Sequence, residues 1–168
     1  RYGNVMGSRG SVIPFFMEEA QSGKLPVTDK SMTRFMITLE QGVELVWQAF
    51  QDMKGGEIFV KKIPSIKVTD IAKAISEDAV INEVGIRPGE KIHEQMIGPE
   101  DSAYTYEYSD YFKILPSINN WGNDPSRIEN GKKVDENFLY SSDTNTEWME
   151  IKTLKKWIQT NLNEIKNI

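Results

Sequence analysis

The spacing of hydrophobic residues predicts strands and helices that alternate through residues 1–97. Apolar residues recur at helical spacing between Ser11 and Gly23, which can begin and end a helix. A second helix is expected after the capping-box sequence at residues 38–41. Its apolar face contains Val43, Val46, Ala49, Phe50 and Met53. Strands are expected at residues 1–5, 25–28, 57–60 and 80–84, with a third helix, capped by Thr69, before the last of them. This alternation is typical of an α/β fold.

The pattern changes in residues 98–168, where a C-terminal extension is expected to pack on the same domain. Three tyrosines at alternate positions from Tyr104 predict one arm of a hairpin. Residues 119–131 are rich in Asn, Gly and Pro, which predicts a loop. A last helix is expected over residues 151–165, where the apolar residues form a single stripe.

Charge and composition exclude several classes of function. The 168 residues include 20 basic and 25 acidic side chains, and most of the net charge of −5 falls in residues 98–168. A protein that binds nucleic acid through a basic stripe is therefore excluded. The absence of cysteine excludes disulfides and cysteine-ligated zinc, and no apolar run is long enough to span a membrane. The sequence begins with Arg1 rather than methionine, so we expect it to be part of a longer protein.

Three arginines stand where the backbone can help to hold an anion. Arg9 precedes the first turn of a predicted helix, in which the amides of residues 10–13 can bind a negative charge. Arg34 lies in an extended segment, and Arg87 precedes a Pro-Gly pair that can fix its position. A planar guanidinium suits a diphosphate. A solvated glycine turn at Arg9 and surface salt bridges for the other two remain open alternatives.

Two other patterns do not support a cofactor-binding, metal or catalytic site. Three glycines in residues 3–10 are spaced like a phosphate loop, but the strand and the later acidic residue of a dinucleotide fingerprint are lacking. We therefore reject them as a cofactor loop. His93, the only histidine, lacks the partners of a metal site or a nucleophilic triad. It is expected to be a helix residue that pairs with Glu90 or Glu94.

Several motifs together resemble the UDP-N-acetylglucosamine 4,6-dehydratases, a family of extended short-chain dehydrogenase/reductases. They are Arg-Tyr-Gly-Asn-Val and Gly-Ser-Arg-Gly-Ser-Val-Ile-Pro within residues 1–14, Met-Thr-Arg-Phe at 32–35, Gly-Glu-Ile-Phe-Val at 56–60, Ile-Pro-Ser at 63–65 and Ile-Arg-Pro-Gly-Glu-Lys-Ile-His-Glu at 86–94. Residues 138–149 are similar to the inverting members of the family, which catalyse the first step of pseudaminic acid synthesis. The resemblance covers nearly the whole chain except residues 119–131 and corresponds to the family's C-terminal half.

The resemblance implies the C-terminal, substrate-binding half of a Rossmann-like α/β fold, with few parallel strands, several helices and the UDP-sugar-binding part in residues 1–97. It implies an NADP-dependent reaction in which hydride leaves C4, water is lost across C5 and C6, hydride returns to C6, and C5 is reprotonated with inversion. In the family the cofactor loop, the Tyr-x-x-x-Lys pair and the catalytic Asp and Lys lie upstream of residues 1–5. No catalytic, cofactor-binding or metal residue is therefore expected here, and the chain alone is expected to be inactive.

By the same resemblance, this chain supplies substrate contacts. They are Asn4 and Val5 near the sugar and phosphate; Arg9, Gly10, Ser11, Val12 and Ile13 as a cradle at the helix start; Leu25 and Val27 against the uracil; Arg34 and Arg87 on the diphosphate or ribose, with Pro88 and Gly89 in the loop of Arg87; and Glu90 on a ribose hydroxyl. The expected partners are UDP-N-acetylglucosamine and the N-terminal half of the same enzyme, in a cytoplasmic homo-oligomer without nucleic acid or membrane.

Two alternatives to this function remain. One is a sister dehydratase-epimerase of fucosamine or capsule pathways, and the other is a free-standing UDP-binding module without a catalytic partner. In a truncated chain, apolar faces that should pack on a parallel sheet would be exposed to water.

Overall fold

The computed structural model describes residues 1–117 and 124–166 of the chain. The helices are α1 (Val12–Glu19), α2 (Leu39–Asp52), α3 (Val68–Ile75), α4 (Pro99–Ser102), α5 (Ile151–Thr160) and α6 (Leu162–Lys166). The strands are β1 (Asn4–Val5), β2 (Lys24–Val27), β3 (Thr33–Ile37), β4 (Ile58–Lys61), β5 (Ser65–Lys67), β6 (Val80–Glu83), β7 (Gln95–Ile97), β8 (Thr105–Glu107), β9 (Tyr111–Ile114), β10 (Lys132–Lys133) and β11 (Tyr140–Ser141). In the described part of the chain, no helix combines the length and hydrophobicity that crossing a membrane requires.

The strands form several small sheets, and the predicted α/β fold is confirmed. β1 pairs in parallel with β3, whose other edge pairs antiparallel with β5. β2 and β6 form a second parallel pair. An antiparallel sheet of order β10-β8-β9-β4 includes the predicted tyrosine hairpin, and β11 pairs with β7. In two of these sheets, strands from residues 1–97 pair with strands from residues 98–168. The division of the chain into these two parts stays a prediction.

The first two helices begin as the sequence predicts. Ser11 is the N-cap of α1, and Gly23, with φ +74°, ends the short 3₁₀ turn that follows this helix. At the start of α2, Thr38 Oγ1 accepts a hydrogen bond from the Gln41 amide at 3.2 Å. The Gln41 side chain accepts one from the Thr38 amide at 3.0 Å. The capping box is therefore confirmed, because both reciprocal bonds form.

Two helix boundaries differ from the prediction. The third helix begins at Val68 with Lys67 as its N-cap, so the prediction of Thr69 as the cap was wrong. The buried Val68 instead donates its amide to Met32 O at 2.9 Å, which fixes the helix start through tertiary structure. The predicted last helix is split at Asn161, whose Nδ2 donates to Trp157 O at 2.8 Å. Asn161 thus competes for a carbonyl at the end of α5.

Two large hydrophobic clusters hold most of these elements together, and a smaller third one joins Leu45 of α2 to Phe59 and Tyr111. One lies among α1, α3 and α5 and is centred on Ile13, Ile71 and Leu154, which are fully buried. The other lies between the β3 and β9 regions and contains Phe35 and Phe112. The part of the predicted loop in residues 124–131 carries a 3₁₀ turn at Pro125–Arg127, and residues 118–123 lie outside the described residues.

Candidate functional site

A cavity of about 540 Å³ opens where the start of α1, the end of β2 and the loop after β6 meet β3. This volume lies within the range of small-molecule sites. Its wall has an apolar part that includes Phe15, Phe16 and Val84. The polar part of the wall includes Arg34 and Arg87. The cavity can therefore receive a ligand that has both an apolar ring and an anionic group.

The wall contains about half of the residues that the sequence analysis singled out. They are Asn4, Gly10, Ser11, Val12, Val27, Arg34, Arg87 and Glu90. Val5, Arg9, Ile13, Leu25, Pro88 and Gly89 are not part of this wall. Ile13 and Leu25 are fully buried in the core, Val5 pairs with Ile37 in the β1–β3 ladder, and Arg9 is exposed in the turn before Gly10. Pro88 and Gly89 form the exposed turn that leads to Glu90.

The start of α1 lines the cavity through Gly10, Ser11 and Val12. The amides of Val12 and Ile13 lie in the first turn, where a helix has no intrahelical acceptor for its N–H groups. The Ser11 hydroxyl does not cap the helix, and its oxygen is buried without a hydrogen-bond partner among residues 1–117 and 124–166. A buried hydroxyl without a partner costs free energy. This end of the helix is therefore suited to an anionic ligand that accepts those bonds.

Arg34 is held rigidly in the polar wall. Its NH1 donates to Thr33 O at 2.7 Å and to Ile92 O at 2.9 Å, and its NH2 donates to Lys91 O at 2.9 Å. Its Nε lies 3.5 Å from Glu94 Oε1. Burial lowers the pKa of Arg34, whereas Glu94 and Glu90 act in the opposite direction. Because a guanidinium stays charged in proteins, a bound anion would offset the cost of this burial.

Glu90 joins the loop after β6 to the end of β2. Thr28 Oγ1 donates to one of its carboxylate oxygens at 3.1 Å, and the amide of Arg87 lies 3.3 Å from the other. The amide of Glu90 donates in turn to Arg87 O at 3.0 Å. Gly89, with φ +82°, provides the left-handed turn that this arrangement needs. The carboxylate faces the cavity and can accept a bond from a ligand hydroxyl.

The sequence analysis missed a buried chain of hydroxyl groups behind Arg34. Thr33 Oγ1 lies 2.7 Å from Ser142 Oγ and 2.8 Å from His93 Nδ1. Ser142 Oγ also accepts the amide of Glu94 at 2.9 Å. The prediction that His93 is a helix residue paired with Glu90 or Glu94 was therefore wrong, because its loop is held in place by Thr33. Ser142 falls within the motif at residues 138–149, which was the only sequence signal for it.

The glycines of residues 3–10 do not form a dinucleotide cradle. A Cβ at Gly7 would lie 2.9 Å from Cη2 of Trp157 and 3.2 Å from Cγ1 of Ile165, so side chains of the last helices already occupy this side of the turn. Residues 1–117 and 124–166 also contain no group of three or more His, Asp or Glu side chains placed to hold a metal ion. The residues present thus fit an anionic ligand at the cavity, and they do not fit a dinucleotide at Gly7.

Several known proteins are similar in sequence to this chain. A family model described as "Polysaccharide biosynthesis protein" matches residues 1–116. The "UDP-N-acetylglucosamine 4,6-dehydratase (inverting)" of Campylobacter jejuni serotype O:2 is 50% identical over 161 residues, which cover 92% of this chain and 48% of that protein. The "UDP-glucose 4-epimerase" of Rickettsia typhi is 38% identical over 95% of this chain and 48% of that protein.

A solved structure resembles the fold as well. The chain matches the "X-ray structure of Pen from Bacillus thuringiensis" with a TM-score of 0.80 and 36% identity, over 96% of this chain and 49% of that one. The chain thus spans about half the length of the curated relatives that it matches. The predicted resemblance to UDP-N-acetylglucosamine 4,6-dehydratases and the predicted fold class are confirmed by these similarities. Because the family model covers more than half of the chain, this protein belongs to the polysaccharide biosynthesis protein family.

Proposed function

We propose that this chain is the substrate-binding portion of an NADP-dependent, inverting UDP-N-acetylglucosamine 4,6-dehydratase, a lyase of the extended short-chain dehydrogenase/reductase family. The observation that carries the proposal is the cavity that combines an apolar wall with Arg34, Arg87 and the start of α1. The 50% identity to the Campylobacter jejuni relative of that name supports it. A UDP-sugar has the matching chemistry, because it joins a planar base to a diphosphate and a sugar.

The walls of the cavity suggest a role for each group. The diphosphate would lie between Arg87, Arg34 and the amides at the start of α1, where guanidinium and helix dipole both favour negative charge. The uracil would pack against apolar residues such as Val27, with Glu90 accepting a bond from a ribose hydroxyl. Asn4 would reach the sugar from the end of β1. These groups bind and orient the substrate and exclude water from it.

The chemical step would take place in the part of the enzyme that this chain does not cover. NADP would accept the hydride from C4 of the sugar and return it at C6. The acid and base groups and the cofactor-binding loop would come from that other part, so this chain alone would not turn the substrate over. The role of this chain is then to fix the sugar relative to the groups that react.

The proposal extends to the wider role of the enzyme. We place it at the first step of pseudaminic acid biosynthesis, which supplies the sugar for flagellin glycosylation, and in the cytoplasm as a homo-oligomer. A second candidate is a related dehydratase-epimerase of capsule or fucosamine pathways. The 38% identity to the Rickettsia typhi relative named UDP-glucose 4-epimerase favours this alternative. A UDP-binding module without a catalytic partner is the third candidate.

Calorimetry with UDP and UDP-N-acetylglucosamine tests the proposal. Both ligands should bind the chain joined to the remaining half of the Campylobacter jejuni relative, and Arg87→Ala should weaken binding at least tenfold because one diphosphate partner is lost. Arg9→Ala is the matched control, since Arg9 lies outside the cavity wall and its loss should weaken binding less. Equal affinity of the Arg87→Ala variant and the unsubstituted protein would contradict the assignment of the diphosphate site.

Measurements on the isolated chain separate the candidates. Strong binding by the chain alone favours the free-standing module, whereas binding only after the remaining half is joined favours the divided enzyme. With the joined protein, formation of a 4-keto product with loss of water supports the dehydratase. A product with the same mass as the substrate and an inverted C4 supports an epimerase instead.

A further inference from the structure

The turn at residues 91–94 holds the side chain of Arg34 in place. Lys91 O and Ile92 O each accept a guanidinium N–H at 2.9 Å, and Thr33 O accepts a third at 2.7 Å. The Arg34 side chain is only 13% exposed. A long side chain that is already held at three points loses little further rotamer freedom when a ligand binds. The position of this turn therefore determines where the charge of Arg34 lies in the cavity wall.

The turn is held in its own place by Ser142, which directly follows β11 in the C-terminal part of the chain. Ser142 Oγ accepts the amide of Glu94 at 2.9 Å, and Glu94 O accepts the amide of Ser142 at 2.8 Å. Both backbone groups of Glu94 are thus bonded to this one serine. Because Ser142 is fully buried, the Glu94 amide would lose its acceptor if the hydroxyl were removed.

Ser142 also contacts the strand that carries Arg34. Its Oγ lies 2.7 Å from Thr33 Oγ1 and 3.2 Å from Thr33 O, which is the carbonyl that also accepts a bond from Arg34. Thr33 Oγ1 lies 2.8 Å from His93 Nδ1, and the Thr33 amide donates to Ile92 O at 3.1 Å. One serine hydroxyl therefore contacts both supports of the guanidinium, the turn and β3.

The hydrogens of this network have acceptors whether or not His93 Nδ1 carries one. When Nδ1 has no hydrogen, Ser142 can donate to Thr33 Oγ1, which donates to His93. When Nδ1 carries a hydrogen, the order reverses, and Ser142 donates to Thr33 O instead. The Glu94 amide keeps its acceptor in both arrangements. The network therefore holds the turn in either state of the imidazole.

We propose that Ser142 is a positioning residue for Arg34, and through it for the diphosphate of the ligand, an inference that rests on the proposed function. Ser142 does not line the cavity, whose wall consists of residues between Asn4 and Glu90. Its effect on a ligand must therefore pass through the groups that it holds. Among them, Arg34 is the one that lies in the wall and carries a positive charge. The C-terminal part of the chain thus sets the geometry of a site to which it gives no direct contact.

Calorimetry with UDP and with uridine tests the proposal in the joined protein, which is this chain joined to the remaining half of the Campylobacter jejuni relative. Ser142→Ala should weaken UDP binding about tenfold, because Arg34 loses its fixed position. Uridine has no diphosphate, so its affinity should stay the same. Ser141→Ala is the matched control, since Ser141 is also buried but bonds to Asp143 instead. It should bind UDP like the unsubstituted protein.

A double-mutant cycle shows whether Ser142 acts through Arg34. In an Arg34→Ala protein, the further change Ser142→Ala should weaken UDP binding less than twofold, because the group that it positions is already absent. In an Arg87→Ala protein the same change should keep its tenfold effect. Three results would each overturn the proposal: unchanged UDP affinity in Ser142→Ala, an equal loss of UDP and uridine binding, or a full tenfold loss in the Arg34→Ala protein.

A second variant covers the case in which Ser142→Ala does not fold, which circular dichroism detects. Thr33→Val removes the hydroxyl that contacts Ser142 and keeps the branched side chain that suits a strand. It should weaken the binding of UDP and not that of uridine, for the same reason. If Thr33→Val binds UDP as tightly as the unsubstituted protein, the network does not position Arg34 and the proposal fails.

Hydrogen exchange separates this inference from the proposed function, because it needs no ligand. In Ser142→Ala, the peptide that contains residues 91–94 should exchange its amide hydrogens at least tenfold faster, as measured by mass spectrometry, and in Ser141→Ala it should not. An unchanged exchange rate in Ser142→Ala overturns the inference. If exchange is faster but the unsubstituted joined protein binds no UDP, the proposed function is contradicted, while the role of Ser142 in holding Arg34 stays supported.

Discussion

Helices α2 and α3 have similar amphipathic sequences but very different surroundings. In α3 the apolar residues Val68 and Ile71 are buried, because α1 and α5 pack on that helix. In α2 most of the apolar residues, including Val46 and Phe50, remain exposed. Periodicity therefore identifies a helix and its apolar face, but the partner of that face depends on what else is folded beside it.

The largest effect should come from the buried helix. Ile71→Ala removes a fully buried side chain from α3 and should lower the free energy of unfolding by about 2–5 kcal/mol. Urea denaturation followed by circular dichroism measures this change. Val46→Ala on α2 is the matched control. Equal losses of free energy for the two variants would mean that the apolar face of α2 is already covered in the isolated chain.

The next effect should come from the polar contacts that hold the end of α2. Lys113 is 2% exposed, and its Nζ lies 2.6 Å from Asp52 Oδ2 and 3.0 Å from Arg127 O. Lys113→Met leaves Asp52 without this partner and should lower the free energy of unfolding by about 1–3 kcal/mol, since Asp52 is partly solvated.

An exposed lysine on α3 is the control for this variant. Lys73 Nζ lies 3.9 Å from Asp70 Oδ1, and the Lys73 side chain is 56% exposed. Lys73→Met should change the free energy of unfolding by less than about 0.5 kcal/mol. A Lys113→Met protein as stable as Lys73→Met would show that the contact between Lys113 and Asp52 does not stabilise α2.

A smaller effect should appear at alkaline pH. Burial, together with the hydrogen bond from Tyr111 to Asp52 at 2.7 Å, raises the pKa of Tyr111 above its ordinary value. The folded state therefore keeps the phenol proton more tightly than the unfolded state, so this contribution is complete below about pH 10 and is lost as the pH rises beyond that value. Tyr111→Phe should cost about 1 kcal/mol at pH 8 through the lost hydrogen bond.

The pH dependence distinguishes this contact from simple packing. The difference in the free energy of unfolding between Tyr111→Phe and the unsubstituted protein should narrow when urea denaturation is repeated above pH 10. The pKa of Tyr140 is also raised, to about 12, chiefly by burial. Both proteins contain Tyr140, so both lose the same free energy of unfolding through it at alkaline pH. A gap that widens with pH would contradict the assignment of Tyr111 as the titrating group.

The smallest effect on stability should come from the exposed apolar face of α2. Val46→Asp replaces a side chain that is 47% exposed, and it should change the free energy of unfolding of the isolated chain by less than about 0.5 kcal/mol. It should nevertheless reduce self-association and the binding of a hydrophobic dye, because it interrupts the apolar surface. Light scattering measures the first effect and dye fluorescence the second.

Much of the fold could be predicted from the sequence because its signals are local. The capping box at the start of α2, the glycine after α1 and the alternating tyrosines in and around β8 each depend on neighbours in the chain. The start of α3 could not be predicted, because a contact between Val68 and Met32 fixes it. The split of the last helix at Asn161 was also missed. The apolar residues keep a regular helical spacing there, and the difference lies in a side-chain hydrogen bond from Asn161 to Trp157 O.

The candidate site was predictable to a similar degree. Arg34 and Arg87 were identified through their extended and Pro-Gly contexts, and both line the cavity. Arg9 was singled out by the same reasoning, yet its turn directs it outside the cavity wall. The contact between Thr33 and Ser142 joins residues 109 positions apart, and no local pattern encodes such a pair. Contacts between residues that are far apart in the sequence could therefore not be predicted.

The packing of Trp157 against Gly7 links the two ends of the chain. A side chain at position 7 would collide with the indole, and it would also have to adopt a left-handed backbone at φ +69°. Random mutagenesis should therefore recover substitutions of Gly7 only together with a smaller residue at position 157, and those pairs should still fold less well than the parent sequence.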